Sequence, residues 1–231
     1  MAEYQTDCAQ KLKSMKLVLY LLITGLSIVM TFSQNNPSEL SHYVFPEFTE
    51  GVILMKTGVE NKALLNYNSL TEEMIFENRG QKLALGKTEL DQVDTVFIRD
   101  RKFLILNKKF VELVYRSKSE LYAEHRCTIN SPGKSAGYGG TSQTSAISSY
   151  SMLPSGGRVY ELKLPEGYIT KPYLIYSLKK EGKLNKFVSI KQLMKLYDDK
   201  KNLVKAYVRA HDVKYDDQES IIQFLKYLES N

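Results

Sequence analysis

The chain has 231 residues, of which 43% are hydrophobic and 11% aromatic, and its formal net charge is +6. This apolar content is enough to fill a core, so disorder over the whole chain is excluded. The charge is too small for a dedicated nucleic-acid-binding protein, and no nucleic-acid partner is expected. Sixteen tyrosines and nine phenylalanines, without a tryptophan, favour a fold rich in β-sheet.

The N-terminal segment has the three parts of a secretory signal peptide. Three lysines precede an uncharged apolar run of fourteen residues, Leu17–Met30, and the small residues Thr31 and Ser33 follow it. A membrane-spanning helix needs about 20 apolar residues. The run therefore favours a cleaved signal peptide over residues 1–33 rather than an uncleaved anchor, with no membrane span left after cleavage.

Met15 is an alternative start, because the sequence from Met15 to Ser33 is a complete signal peptide by itself. Cleavage after Ser33 removes Cys8 and leaves Cys127 as the single cysteine, so the mature chain can form no internal disulfide. The mature chain keeps 29 basic and 24 acidic residues. We expect export to the periplasm or to the outer surface of the cell.

A polar lead, residues 34–44, precedes a long region of strand patterns. Short apolar segments alternate with tight turns such as Arg79-Gly80. No helix-length crossover separates the successive segments, so a parallel sheet is not expected. The pattern predicts an antiparallel β meander over residues 45–188, folded as a curled sheet, a small barrel or a sandwich.

The hydrophobic period changes to that of helices at Ser189. Three short amphipathic patterns follow within residues 189–231, and Asp217 is placed to cap the last of them. The sequence therefore predicts an α+β protein, in which an antiparallel β domain is followed by a small C-terminal three-helix unit.

A Gly/Ser/Thr-rich segment, residues 131–157, interrupts the strands. It contains a Gly-Lys-Ser triplet, but Thr128 occupies the position where a phosphate-binding loop needs its first glycine. We expect a connecting loop and no nucleotide or other cofactor. Long loops of this kind are often functional, so the loop is a candidate binding surface. Its candidate contact residues are Tyr138, Gly139, Gly140 and Tyr150.

His125 and Cys127 are two residues apart and would share one face of a strand. Zinc needs three or four such ligands, and the other histidines, His42 and His211, are distant in sequence. A buried thiol beside a hydrogen-bonded histidine is the favoured interpretation. No catalytic or metal-binding residue is predicted.

Seven basic residues and two acidic ones lie between Arg99 and Lys118. Such a cluster can attract an anionic polymer of the cell envelope, although lysines also protect sheet edges from association. The candidate contacts are Lys108, Lys109, Arg116 and Lys118.

Three segments carry a resemblance to known sequences: the hairpin "GVILMKTGVENKALLNYNSLTEEMIF", the loop "GYGGTSQTS" and the end "FVSIKQLMKLYDDKKNLVKAYV". With them the chain resembles an uncharacterised group of exported bacterial proteins. The resemblance implies export and a single folded unit, and it brings no activity or ligand.

The combined features predict an exported, non-enzymatic envelope or binding protein. Its expected partner is another envelope protein or an anionic envelope polymer. Two alternatives remain open. One is an exported hydrolase whose site the sequence does not reveal, and the other is an accessory or sensor subunit that docks a partner through its C-terminal helices.

Overall fold

The computed structural model describes residues 42–130, 134–136, 140–142, 146–147 and 169–231, all within one compact unit, Pro37–Asn231. The predicted signal peptide (1–33) and the lead up to residue 41 lie outside the described residues. So does most of the predicted loop, including Tyr138, Gly139 and Tyr150.

Antiparallel strands make up most of the described chain. They are β1 (Thr49–Met55), β2 (Glu60–Asn68), β3 (Glu73–Asn78), β4 (Gln81–Ala84), β5 (Val93–Ile98), β6 (Arg101–Leu106), β7 (Lys109–Arg116), β8 (Glu120–Asn130), β9 (Lys134–Ala136), β10 (Gly140–Ser142), β11 (Ala146–Ile147), β12 (Ile169–Lys180) and β13 (Lys183–Phe187).

Ten of these strands form one open series in the order β13-β12-β8-β7-β6-β5-β1-β2-β3-β4, while β11 pairs with β8 and β9 pairs with β10. The predicted antiparallel sheet is confirmed. The chain does not run through it as a single meander, because β5 pairs with β1 rather than with β4. The connection after β4, which contains the short helix α1 (Lys87–Leu90), carries the chain back to β1.

Tight hairpins join the sequential neighbours. Arg79 and Gly80 between β3 and β4 have φ of 51° and 78°, and Glu181 and Gly182 between β12 and β13 have φ of 52° and 77°. Two successive left-handed residues are the signature of hairpin turns whose twist matches that of the strands.

A single row of buried residues crosses seven strands on the interior face of the sheet. The cross-strand register aligns Ile53, Val96, Phe103, Glu112, Ala123, Tyr176 and Phe187. Each of them is at most 7% exposed. Glu112, on the middle strand of this central row, is its only charged member.

Two hydrophobic clusters lie on either side of Glu112. The helix-covered cluster joins Ala123, Tyr176 and Phe187 to the C-terminal helices. The N-terminal cluster contains Ile53, Val96 and Phe103, and it extends to Phe45 and Tyr67. The charged side chain thus lies between two apolar cores.

The C-terminal region is helical, with α2 (Ile190–Lys195), a 3-10 turn (Asp198–Lys200), α3 (Lys201–Ala210) and α4 (Gln218–Ser230). The Asp217 carboxylate accepts hydrogen bonds from the backbone N–H groups of Glu219 and Ser220, which makes it the N-cap that the sequence predicts. None of the helices in the described ranges is long and apolar enough to span a membrane.

Glu229 anchors α4 to the turn between β7 and β8. Its buried carboxylate accepts hydrogen bonds from the Tyr115 hydroxyl at 2.9 Å and from the backbone N–H groups of Lys118 and Ser119 at 3.2 and 3.1 Å. The Ser119 hydroxyl donates a further hydrogen bond. Since each hydrogen bond to a charged group contributes about 1.5–3 kcal/mol, this contact holds the helices firmly on the sheet.

Candidate functional site

Glu112 binds two cationic or ionisable side chains from the strands on either side of it. Arg101 on β6 makes a bidentate contact, with Nε 2.6 Å from Oε1 and Nη2 against Oε2. His125 on β8 places Nε2 2.6 Å from the same Oε2. Three adjacent strands therefore bring an arginine, a glutamate and a histidine together on the interior face. We call these three residues the charged triad.

Glu112 stays ionised in this setting. Burial alone would raise its pKa, but the hydrogen bonds from His125 and Arg101 outweigh burial and lower the pKa to about 2. The carboxylate is a permanent negative charge at the boundary of the two apolar clusters.

The carboxylate also determines the tautomer of His125. An ionised carboxylate only accepts hydrogen bonds, so Nε2 of His125 carries the proton and donates it to Glu112. Nε2 then has no lone pair for Arg101, whose Nη2 lies 2.8 Å away. In the neutral ring, Nδ1 keeps its lone pair, and it has no hydrogen-bond partner among the described residues.

Aromatic rings hold Arg101 in place. Its guanidinium carbon lies 4.9 Å from the ring centre of Phe45 and 5.5 Å from that of Phe103, within the range of cation–π attraction. The ring of Tyr67 lies 6.2 Å from that of His125. These flat surfaces fix the orientation of the triad.

Asn66 on β2 secures the segment that brings Phe45 under Arg101. Its side chain accepts a hydrogen bond from the Phe45 N–H at 3.1 Å and donates one to the Phe45 carbonyl at 2.9 Å. The neighbouring Val44 N–H donates to the Tyr67 carbonyl. The segment before β1, which includes Tyr43, is thus held beside the triad.

A pocket of about 520 Å³ opens beside the triad. It is bordered by Arg101 and His125, by residues of the segment before β1, by β8 and β12, and by the connection between α3 and α4. Its charged and aromatic walls are Arg101, His125, Arg126, Asp216, Tyr43, Tyr173 and Tyr215. A concave site with a few convergent polar groups and perturbed pKa values is the usual form of a ligand-binding site.

Arg126 links the pocket to a chain of ion pairs. Its guanidinium lies 3.1 Å from Glu72 and 3.0 Å from Glu124. Glu72 also binds Lys109 at 2.8 Å, and Glu124 binds Lys186 at 3.4 Å. The network contains three cations and two carboxylates, so each carboxylate is bound by two cations.

The four predicted polyanion contacts do not lie together. Lys108 and Lys109 lie at one end of β7, and Arg116 and Lys118 lie at the other, roughly 23 Å away along an eight-residue strand. Lys109 and Arg116 pair with Glu72 and Glu120. Lys118 donates to the backbone carbonyl of Glu229. Polyanion binding by these residues stays a prediction.

Of the predicted loop residues, Gly140 begins β10, which pairs with β9. Tyr138, Gly139 and Tyr150 lie outside the described residues, so the loop remains a predicted binding surface and does not enter the site described above.

His125 and Cys127 share a face of β8, but they play different parts. Cys127 is free and buried, and burial raises the pKa of its thiol, which makes it a poor nucleophile. His125 is bound to Glu112 instead. Within the part of the chain that the structure describes, no cluster of three or more His, Cys, Asp or Glu side chains is arranged to hold a metal ion.

Sequence reasoning missed Glu112 and Arg101 as site residues. Both lie between Arg99 and Lys118, a segment whose charge predicted only a surface for an anionic polymer. The available signal was a lone carboxylate inside the strand pattern "KFVELVY", where an inward-facing charge is unusual.

No protein-family model, curated protein or solved structure matches this chain. The interpretation of the site therefore depends on its own geometry and charge.

Proposed function

We propose that the protein is an exported, non-enzymatic binding protein of the cell envelope. Its pocket holds an anionic segment of an envelope polymer. The observation that carries this proposal is the position of Glu112, a charge in the middle of an apolar row that holds Arg101 and His125 at the pocket wall.

Stability alone is a weak reason for such a triad. A buried ion pair usually contributes little net stability, because desolvation offsets the attraction between the charges, and an apolar pair of the same volume does as well or better. The charges are better explained by what they offer to a ligand. Nη1 of Arg101 has no hydrogen-bond partner among the described residues, and a guanidinium edge matches a carboxylate or phosphate.

The tyrosines supply the rest of the binding surface. Tyr173 is 42% exposed, and the Tyr215 hydroxyl is tied to the carbonyls of Leu174 and Phe187 at 3.0 and 3.3 Å. A fixed aromatic ring beside a cation suits a ligand that carries both a flat apolar face and a negative charge. An acidic polysaccharide has both features.

Calorimetric titration with polygalacturonate, a carboxylated polysaccharide, tests the proposal, with uncharged dextran as the matched control. We expect binding of polygalacturonate that weakens with added salt and no binding of dextran. A double variant, Arg101→Met with Glu112→Leu, should fold normally and bind at least tenfold more weakly. Unchanged binding by this variant would overturn the assignment of the pocket.

A second double variant separates the pocket from general surface charge. Lys109→Gln with Arg116→Gln removes two of the predicted polyanion contacts and leaves the pocket walls intact. If this variant loses more affinity than the Arg101/Glu112 variant, the basic ends of β7 are the binding surface.

An exported hydrolase is the second candidate, and the Glu112–His125 pair favours it. A carboxylate that orients an imidazole beside a pocket is an arrangement used for general-base catalysis. Such an enzyme would release reducing ends from polygalacturonate during prolonged incubation. His125→Gln would abolish the release.

Docking of a partner through the helices stays a prediction. The apolar residues of α4 are already buried against the sheet, so a docked partner would use other positions. For the sheet itself we propose the curled form among the three predicted, supported by the two hydrophobic clusters lying on one face.

A further inference from the structure

The charges in the pocket wall and in the ion pairs behind it nearly cancel one another while His125 is neutral. The pocket-lining charges and the whole ion-pair network attached to them comprise four cations and four carboxylates. The cations are Arg101, Arg126, Lys109 and Lys186, and the carboxylates are Glu112, Glu72, Glu124 and Asp216. Glu73 on β3 adds a further negative charge near Tyr67. With Glu73 included, the carboxylates outnumber the cations by one, so a bound anion meets an excess of negative charge that one more proton cancels.

We propose that His125 makes the capture of the anion depend on a proton, which it takes up from solvent on Nδ1 when the anion enters the pocket. This inference rests on the proposed function, since it describes how the same site is regulated. Nε2–H already donates to Glu112, so Nδ1 is the position that accepts the proton. The imidazolium then keeps its bond to Glu112 and cancels the excess negative charge around the pocket.

The groups that face His125 set the direction of this coupling. Glu112 on β7 is the carboxylate in contact with the ring, Arg101 on β6 is the cation in contact with it, and Arg126 is the next residue on β8. Asp216, from the connection between α3 and α4, adds a carboxylate at the pocket wall. On β12, Leu174 is the cross-strand neighbour of His125, and it carries no charge. A bound anion shifts this balance toward the imidazolium.

Three further titratable groups near the pocket, Tyr67, Tyr43 and His42, stay neutral between pH 5 and 8. Burial raises the pKa of Tyr67 and brings that of Tyr43 to about 12, so both phenols stay neutral. Burial lowers the pKa of His42 to about 4, so this ring also stays neutral. Imidazole is the side chain whose charge ordinarily changes in this range, and His125 is the imidazole at the pocket.

Proton and anion binding are reciprocal. If the anion prefers the protonated site by a given factor, protonation strengthens anion binding by the same factor. We expect polygalacturonate to bind about tenfold more tightly at pH 5.5 than at pH 7.5, because the complex binds one proton more than the free protein. The carboxylates of the probe are ionised at both values, so the change comes from the protein.

Calorimetric titrations of the wild-type chain with polygalacturonate, at both pH values and in buffers of different ionisation enthalpy, measure proton uptake directly. We expect uptake of up to one proton per site. His125→Gln, which keeps an N–H donor for Glu112, should bind with the weaker affinity at both pH values. His211→Gln, at an exposed histidine that does not border the pocket, should keep the pH dependence.

The outcomes separate the two proposals. Equal affinity at both pH values without proton uptake overturns the role of His125 and leaves the binding function intact. No binding of polygalacturonate at either pH overturns both. If His125→Gln does not fold, the buffer dependence of the wild-type heats decides the question alone.

Discussion

The centre of the sheet around Glu112 and the end of the sheet around Glu229 each bury a carboxylate, with 5% and 7% exposure. The two regions differ in the donors that hold the charge. Glu229 is held by two backbone N–H groups, the hydroxyls of Tyr115 and Ser119, and no arginine or histidine. Glu112 is held by Arg101 and His125, which are 26% and 14% exposed and border a pocket.

The difference indicates two uses of a buried carboxylate. Neutral donors at the end of β7 and in the turn that follows hold Glu229 and so join α4 to the sheet, and none of these residues lines the pocket beside the triad. Arg101 and His125 donate to Glu112 and also line the pocket, so Glu112 fixes the position of two side chains that face the pocket. Glu229 joins a helix to the sheet, whereas Glu112 holds Arg101 and His125 at the wall of a pocket.

Removal of the Glu229 carboxylate should have the largest effect on stability. Glu229→Ala leaves four donors without their acceptor, and we expect the free energy of unfolding to fall by about 4 kcal/mol. Urea denaturation measures the change, and polygalacturonate binding by the folded fraction should be unaffected. Glu219→Ala, on an exposed face of the same helix, is the control and should change stability by less than about 1 kcal/mol. If Glu229→Ala lowers the free energy of unfolding only slightly, the two buried carboxylates do not differ in their contribution to stability.

Acid should destabilise the fold in two overlapping pH windows, one from His42 in the segment before β1 and one from Glu112 in the central row. The folded-state pKa of His42 is lowered to about 4, so its contribution to stability is present above about pH 6.5 and is lost between there and pH 4. The folded-state pKa of Glu112 is lowered to about 2, so its contribution is present above about pH 4.5 and is lost between there and pH 2. Across each window the free energy of unfolding should fall by up to about 3 kcal/mol.

Urea denaturation as a function of pH resolves these windows. His42→Phe, which replaces a buried ring whose nitrogens have no described partner, should remove the loss between pH 6.5 and 4. Adding Arg101→Met and Glu112→Leu should also remove the loss below pH 4.5. A loss that persists in the variants would assign acid sensitivity to other groups.

The smallest effect should come from replacing the triad charges with apolar side chains at neutral pH. Arg101→Met with Glu112→Leu removes both partners of a buried pair, and we expect stability to change by less than about 1 kcal/mol. Glu112→Leu alone should cost about 3 kcal/mol, because it leaves the Arg101 charge unpaired. Equal destabilisation by the single and double variants would mean that the pair, like Glu229, serves the fold.

Local patterns in the sequence were sufficient for the elements themselves. The strand segments, their tight turns and the change of period at Ser189 follow from side-chain spacing, and Asp217 is a cap because its short carboxylate reaches the first free N–H groups of α4. The predicted signal peptide and the loop with Tyr138 and Tyr150 rest on the sequence alone.

The pairing of the strands could not be predicted from these local patterns. In "KFVELVY", both alternating series contain apolar residues, so the pattern does not say which face is interior. The register shift between Leu113 and Tyr115 also changes the phase of β7. Only the pairing of β7 with β6 and β8 places Glu112 in the central row.

The sequence by itself therefore determined an antiparallel sheet with a helical end, since those features depend on neighbours a few residues apart. The tertiary structure decided that β5 returns to β1 and that Arg101, Glu112 and His125 meet at one pocket. Those contacts join residues from three strands, and their geometry depends on how the whole sheet pairs and twists.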